Sequence, residues 1–428
     1  MSLITTSEPK RRARSRRGEE LLSPRDQHPT PWGPGSGAGP GTSERRLPWY
    51  HLLFTGAAAL AASVLLLAAA QGVVSLLPEE DAVNIVGRDF SPLNFTAVVL
   101  LGFVLHLLIT YVYSQVREGR RWAADRVATL VVVGAFVLAM TPLVSLLTEV
   151  LARGLPRLLT PGFLTGDMQG FNGGADGGGI FHAIMGTVLI TAGASVISIP
   201  IGLLTAVFLV EYAKTGVLRW IGRGVTFLVD VMTGIPSIVA GLFALALFIT
   251  LTQEDGIRNG LMGSVALSLL MIPTVVRSSE EMIRLVPHDL REAALALGVP
   301  RWLVIIRVVL RTAVAGLSTA VTLAIARVIG ETAPLIFTVG GLEFLNMKLT
   351  DGRMSALPLL INQQYRAGEA PCPSDTVINY FTRAEYACNA GINYERAWAT
   401  ALTLIILVMV LNIVARLISY YFAPKTSR

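Results

Sequence analysis

Arg277-Ser-Ser-Glu-Glu-Met-Ile-Arg-Leu-Val-Pro287-His-Asp289-Leu-Arg-Glu292-Ala-Ala-Leu-Ala-Leu-Gly298-Val-Pro300 is a polar interval between two apolar runs, near 260–276 and 314–340. It holds two helix starts. Ser278 with Glu281, and Asp289 with Glu292, have the spacing in which the side chains at the N-cap and third helical position satisfy free N–H groups. The second helix is short and rich in Ala and Leu; Gly298 closes it and Pro300 keeps it from continuing. A short capped helix set between two apolar spans is shaped to dock on another protein.

Outward from this interval the chain is written for lipid. Of its 428 residues 53% are hydrophobic and only 15% charged, with a mean hydropathy of +0.59. Soluble domains carry about 25% charged residues, so a soluble globular enzyme, a disordered chain and a disulfide-built secreted domain are all excluded. Eight runs approach the roughly 20 residues needed to cross about 30 Å of hydrocarbon. They lie near 52–77, 93–113, 127–151, 181–210, 233–252, 260–276, 314–340 and 397–421. The expected fold is an all-α polytopic membrane protein of about eight transmembrane helices. The first run is too long, and too far behind a polar stretch, to be a signal peptide.

The basic residues orient these spans. With the N-terminus inside, 24 Lys and Arg fall on the inner side and nine outside; Arg327 and Arg416 lie within spans. Such a split predicts an N-in/C-in topology and places 277–312 in the cytoplasm. The net charge of +6 is then topological and needs no nucleic acid. Residues 1–48 read as a basic, Pro/Gly-rich cytoplasmic tail that cannot pack a core. Its Arg11–Arg17 cluster serves either the positive-inside bias alone or contact with anionic headgroups.

Prolines concentrate in the second half: Pro200 within the fourth run, Pro236 at the start of the fifth and Pro273 late in the sixth. Broken helices survive in lipid where protein or a water-filled path covers the freed carbonyls, which points to a pathway in that half. Arg327 and Glu331, four apart in the seventh run, would share one helix face. Two readings stand: a structural ion pair pinning two spans, or an anion waypoint. In the second, Arg327 contacts the crossing oxyanion, Glu331 partly neutralises Arg327 so that release remains possible, and Thr332 adds a hydroxyl. His106 reads as a packed, hydrogen-bonded residue. Cys372 and Cys388, the two cysteines of the chain, fall in the outside loop 341–396, where a disulfide or two free thiols are both open. The five histidines are scattered and suggest no metal site. No Gly-x-x-x-x-Gly-Lys-Ser/Thr loop occurs, so any ATP hydrolysis belongs to a partner.

Glu292-Ala293-Ala294, with Gly298 four residues on, resembles the EAA loop of bacterial ABC-importer permeases, the loop through which they couple to their ATPases. The family's usual Leu-Pro ending is replaced here by Leu310-Arg311. Further stretches resemble the PstA-type permeases of phosphate importers: Gly178 to Thr187, Ser198 to Ala213, Asp230 to Phe243 and, above all, Ala326-Arg327-Val-Ile-Gly330-Glu331-Thr332-Ala-Pro334-Leu. The resemblance implies a type I ABC-importer permease core over 171–428, with 49–170 as additional N-terminal helices and outside loop. It implies coupling through Asp289, Glu292, Ala293, Ala294 and Gly298, and no cofactor bound by this chain. The implied partners are a second homologous permease in a heterodimer, two ATP-binding subunits, an extracytoplasmic phosphate-binding protein and membrane lipid. The implied location is the bacterial cytoplasmic membrane. The alternatives are a permease for another oxyanion, such as sulfate or molybdate, and a membrane scaffold or sensor that does not transport; an intramembrane enzyme finds no catalytic motif.

Overall fold

A computed structural model of the protein describes residues 50–74, 95–171, 173–379 and 381–422. The expected tail 1–48 lies outside them. The chain divides into two compact units within its third helix, at Leu138/Ala139.

The first unit holds α1 (His51–Val74), α2 (Phe95–Arg117) and the start of α3 (Arg120–Leu158). α1 and α2 meet along small and polar residues. His106 lies 3.2 Å from the Thr55 hydroxyl, which also accepts from Thr110 at 3.2 Å. A side chain on Gly56 would meet the His106 ring. His106 is thus a packed residue of a helix hairpin, held by the interhelical hydrogen bonding that polar groups seek in lipid.

The second unit runs through α4 (Phe181–Val207), a π-helical turn (Phe208–Tyr212), α5 (Gly216–Thr233), α6 (Ser237–Thr252) and α7 (Gly260–Arg284). Next come α8 (His288–Ala296), α9 (Arg301–Val304), a second π turn (Ile305–Val309) and α10 (Leu310–Val328). α11 (Ala333–Thr338), α12 (Leu357–Ala367), a hairpin of β1 (Thr376–Ile378) with β2 (Glu385–Ala387), and α13 (Ile392–Phe422) complete it. α4 and α7 pack closely because small residues face each other. Gly193 lies against Ser264 and Gly202 against Val275, while the Ser264 hydroxyl donates to the Ile190 carbonyl at 3.0 Å. Around this pair one core gathers Met271 and Val275 of α7, Ala324 and Val328 of α10, Leu335 of α11 and Leu359 of α12. A second core, at the other end of α4, joins Val210, Ile283, Val309 and Ala313.

Six helices among the described residues are long and apolar enough to cross a bilayer, or seven if the bent α5–α6 pair is one span. α1 lies on the first expected crossing, with a shorter described apolar stretch, His51–Leu66. Four expectations are corrected. The fifth run does not begin a helix at 233: α5 and α6 are bent by 106° across 234–236, because Pro236 favours an extended neighbour and has no N–H for the helix. The seventh run ends as an α-helix at Val328 and turns before α11. Ser278 caps nothing, since α7 continues unbroken to Arg284. The stretch 341–396 is more than a loop: Met354 and Ala356 lie in the core, and α12 buries Leu357 to Leu360.

Candidate functional site

The segment 287–300 forms largely as its sequence directs. α8 starts at His288 after Pro287, so Asp289 sits in the first turn rather than at the cap. A carboxylate there still favours the helix N-terminus. Gly298 takes φ +79°, a left-handed conformation that glycine adopts without penalty. Asp289, Glu292 and Ala293 are exposed and Ala294 half-buried. Leu290, Leu295, Leu297 and Trp302 also face outward, Leu297 with 84% of its surface free. Exposed apolar side chains grouped in this way make the segment a candidate interaction surface.

One residue of α8 points the other way. Arg291 is buried, and its guanidinium donates to Glu211 Oε1 at 3.0 Å, the Val286 carbonyl at 2.7 Å and the Ile283 carbonyl at 2.9 Å. Both members of the ion pair are less than a tenth exposed. Glu211 belongs to the π turn that ends α4. Ile283 lies in the last turn of α7 and Val286 two residues past its end, where C=O groups have few intrahelical donors. Arg291 therefore ties α8 to the end of α4 and to the end of α7 at once. Sequence reasoning missed it, although a single cation on an otherwise Ala/Leu-rich helix was a visible signal.

A second polar cluster lies where the helices break. A cavity of about 150 Å³ is lined by Thr233, Ser237, Pro273, Thr274, Arg327 and Glu331, with Met232, Ile235, Leu270 and Val328. Arg327 Nη1 lies 3.4 Å from the Thr274 hydroxyl. Two features aim the site at an anion. Arg327 brings a forked cation. Ser237 opens α6, whose start no side chain caps, leaving N–H groups and the positive end of the helix dipole free for a ligand. The Thr233 and Thr274 hydroxyls complete the polar lining, donating to the Val229 and Leu270 carbonyls of their own helices at 2.9 and 3.4 Å. Gly241, one turn into α6, permits this closeness: a Cβ there would sit 2.7 Å from Pro334 Cα.

Arg327 and Glu331 meet in this cavity by a route other than a shared helix face. α10 stops at Val328, and the Glu331 N–H bonds the Val328 carbonyl at 3.0 Å as the chain turns. Among the described residues no ion pair joins them within 4.0 Å. Thr332 is not among the lining residues; it begins α11. Ser237, Thr233 and Thr274 were not singled out from the sequence, although Pro236 and Pro273 beside them were.

At the other end of α4 the cysteines form a Cys372–Cys388 disulfide across the β-hairpin. Its sulfurs lie over Gly174, and the Asn389 N–H bonds the Gly174 carbonyl at 2.7 Å. Buried Arg396 donates to the carbonyls of Ala175 and Gly177 at 2.7 and 2.9 Å, and Arg157 pairs with Asp176. The glycine-rich segment before α4 is thereby fixed. It lines a larger cavity of about 470 Å³ with Asp167 and Tyr386.

Residues 198–428 match the family model of the binding-protein-dependent transport system inner membrane component. The chain is 41% identical over 301 residues to a phosphate transport system permease protein, PstA 1, of Mycobacterium tuberculosis, covering 70% of this chain and 90% of that one. It is 40% identical to the corresponding protein of Mycobacterium leprae (69% and 88% covered) and 35% identical to that of Pasteurella multocida (66% and 88%). Among solved structures it is similar to an inward-facing methionine ABC transporter, at 18% identity and a TM-score of 0.40, covering 57% of this chain and 94% of that one.

Proposed function

The chain belongs to the family of binding-protein-dependent transport system inner membrane components, and on that footing we propose that it is the permease subunit of an ATP-driven phosphate importer. It is a multi-pass membrane protein and a transporter subunit rather than an enzyme. It works with an ATPase and a substrate-binding protein. The observation that carries the substrate class is the cavity at the α5–α6 break, where Arg327 and an uncapped helix start converge.

The finer reading follows from charge and placement. Arg327 holds the passing oxyanion, and Glu331 lowers the net positive charge so that release is not too slow. Thr332 sets the start of α11 beside them. Arg327 is exposed in the single chain, which suits a pathway completed by a second, homologous permease in a heterodimer. α8 docks on one of two ATP-binding subunits through Asp289, Glu292, Ala293, Ala294 and Gly298, and Arg291 passes its movement to α4 and α7. This chain binds no cofactor; ATP is used by the partners. An N-in/C-in topology in the bacterial cytoplasmic membrane puts α8 inside and the Cys372–Cys388 hairpin outside, within reach of a phosphate-binding protein. Residues 1–48 are then a cytoplasmic tail, and 49–170 precede the permease core of 171–428.

Uptake of labelled phosphate by the reconstituted complex, with sulfate as competitor, tests this. Phosphate uptake that excess sulfate does not reduce is expected, and Arg327→Ala abolishes it while the complex still assembles and hydrolyses ATP. Normal uptake by Arg327→Ala removes the cavity from the pathway.

A further inference from the structure

Just beyond the cavity lies an ion pair that the anion-waypoint reading leaves unused. Arg277 of α7 pairs with Asp230 of α5, and its other edge donates to Glu280 Oε2 at 3.1 Å. Each of the first two stands one helical turn from the cavity wall: Arg277 three residues after Thr274, and Asp230 three residues before Thr233. Residues so spaced share a helix face. The pair therefore lies one turn beyond the cavity wall, in the direction in which α7 runs toward α8.

Its three members differ in a telling way. Glu280 is buried and also holds Arg284, so it stays in place. Arg277 is 36% exposed and Asp230 57% exposed. The guanidinium thus has one fixed partner and one exchangeable partner. A phosphate oxygen and the Asp230 carboxylate present the same acceptor to the same fork, so exchange needs no new geometry. Beyond Asp230, α5 continues as a polar stripe, Thr226, Arg223 and Arg219, at helical spacing, and Arg219 and Arg223 are exposed. Within this stripe Arg223 stacks on the Trp220 ring at 4.0 Å.

We propose that Arg277 is a second oxyanion site on the exit side of the cavity, masked by Asp230 and unmasked when phosphate displaces that carboxylate. Glu280 keeps the guanidinium in position during the exchange, and Asp230 returns to expel the anion. This rests on the phosphate-permease reading above.

The test uses the whole complex in proteoliposomes, measuring labelled-phosphate uptake and ATP hydrolysis together. Arg277→Gln and the swap Asp230→Arg/Arg277→Asp lower phosphate moved per ATP by about tenfold or more, the worth of one lost charge-assisted bond, with hydrolysis retained. Asp230→Asn, an isosteric change at an exposed side chain, removes the competitor for Arg277. Release slows, so the KM for phosphate and the turnover fall together. Wild-type uptake by the swap, or an unchanged KM in Asp230→Asn, shows the pair to be only a pin between two helices and overturns the proposal. Arg327→Ala in parallel separates the two levels. If it transports normally the cavity reading falls as well; if it is dead while the swap is active, only the second site falls.

Discussion

Replacing Arg291 with alanine removes the anchor of α8 while leaving its docking face untouched. Three charge-assisted hydrogen bonds disappear, and buried Glu211 keeps only the half-exposed Lys214, 3.8 Å away, as a cationic partner. Breaking one side of a buried ion pair costs about 3–5 kcal/mol. The buried Ile283 carbonyl keeps a backbone donor, the Val286 N–H at 3.3 Å, which limits the loss to the low end of that range. A net loss of about 3 kcal/mol for the docked state of α8 is therefore expected, a factor of roughly 150 in its opening equilibrium. Hydrogen exchange of the α8 amides in the purified complex reads this directly: protection falls by about two orders of magnitude in α8 and is unchanged in the middle of α7. In proteoliposomes the ATPase subunits remain bound and hydrolyse ATP, but phosphate moved per ATP falls. Glu211→Gln combined with Arg291→Ala costs much less than the sum of the two single changes, since the buried charge is gone. If Arg291→Ala leaves both α8 protection and the transport ratio at wild-type values, the anchor carries no force and the reasoning is wrong.

Two further outcomes follow from packing and covalent structure. Gly241→Ala places a methyl 2.7 Å from Pro334 Cα; the required shift costs about 1–3 kcal/mol, seen as a lower melting temperature and reduced phosphate uptake. Replacing Cys372 and Cys388 with serine opens a 16-residue separation worth about 3 kcal/mol in chain entropy. The hairpin then becomes protease-sensitive, while peptide mass mapping of the wild type, with and without reductant, shows the linked pair.

Much of the helical layout was legible because lipid imposes a simple rule: a crossing segment must be apolar over its length. Among the described residues each of the eight apolar runs contains a helix, and Gly298 ends α8 by the backbone freedom that its position requires. What hydropathy cannot report is where an apolar run stops being helical. Thr233-Gly-Ile-Pro236 and Ile329-Gly-Glu-Thr332 are nearly as apolar as their neighbours, yet both are breaks, and together they build the cavity. Ser278 had the spacing of a cap but sits inside a helix whose tertiary packing carries it through. Arg291 and α12 were missed for the same reason. Their burial depends on partners distant in sequence, Glu211 for one and the Phe163–Ile180–Ala399 cluster for the other, and local pattern has no access to such partners. The cavity residues Arg327 and Glu331 were found through their cost in lipid, and their neighbouring threonines were overlooked because hydroxyls cost little there.

The π turn at the end of α4 has a consequence for how one helix serves two surfaces. Above it, α4 presents Ile190 and Ala194 to the core around α7; within it, Glu211 must face Arg291. A regular helix advances about 100° per residue, so the angular phase of its lower end is dictated by its upper end. The widened turn, in which the Ala213 N–H reaches back to the Phe208 carbonyl at 2.9 Å, holds one residue more than an α turn and resets that phase. The intramembrane packing and the coupling contact can therefore vary independently along the same rod, joined by a turn that works as a slip coupling.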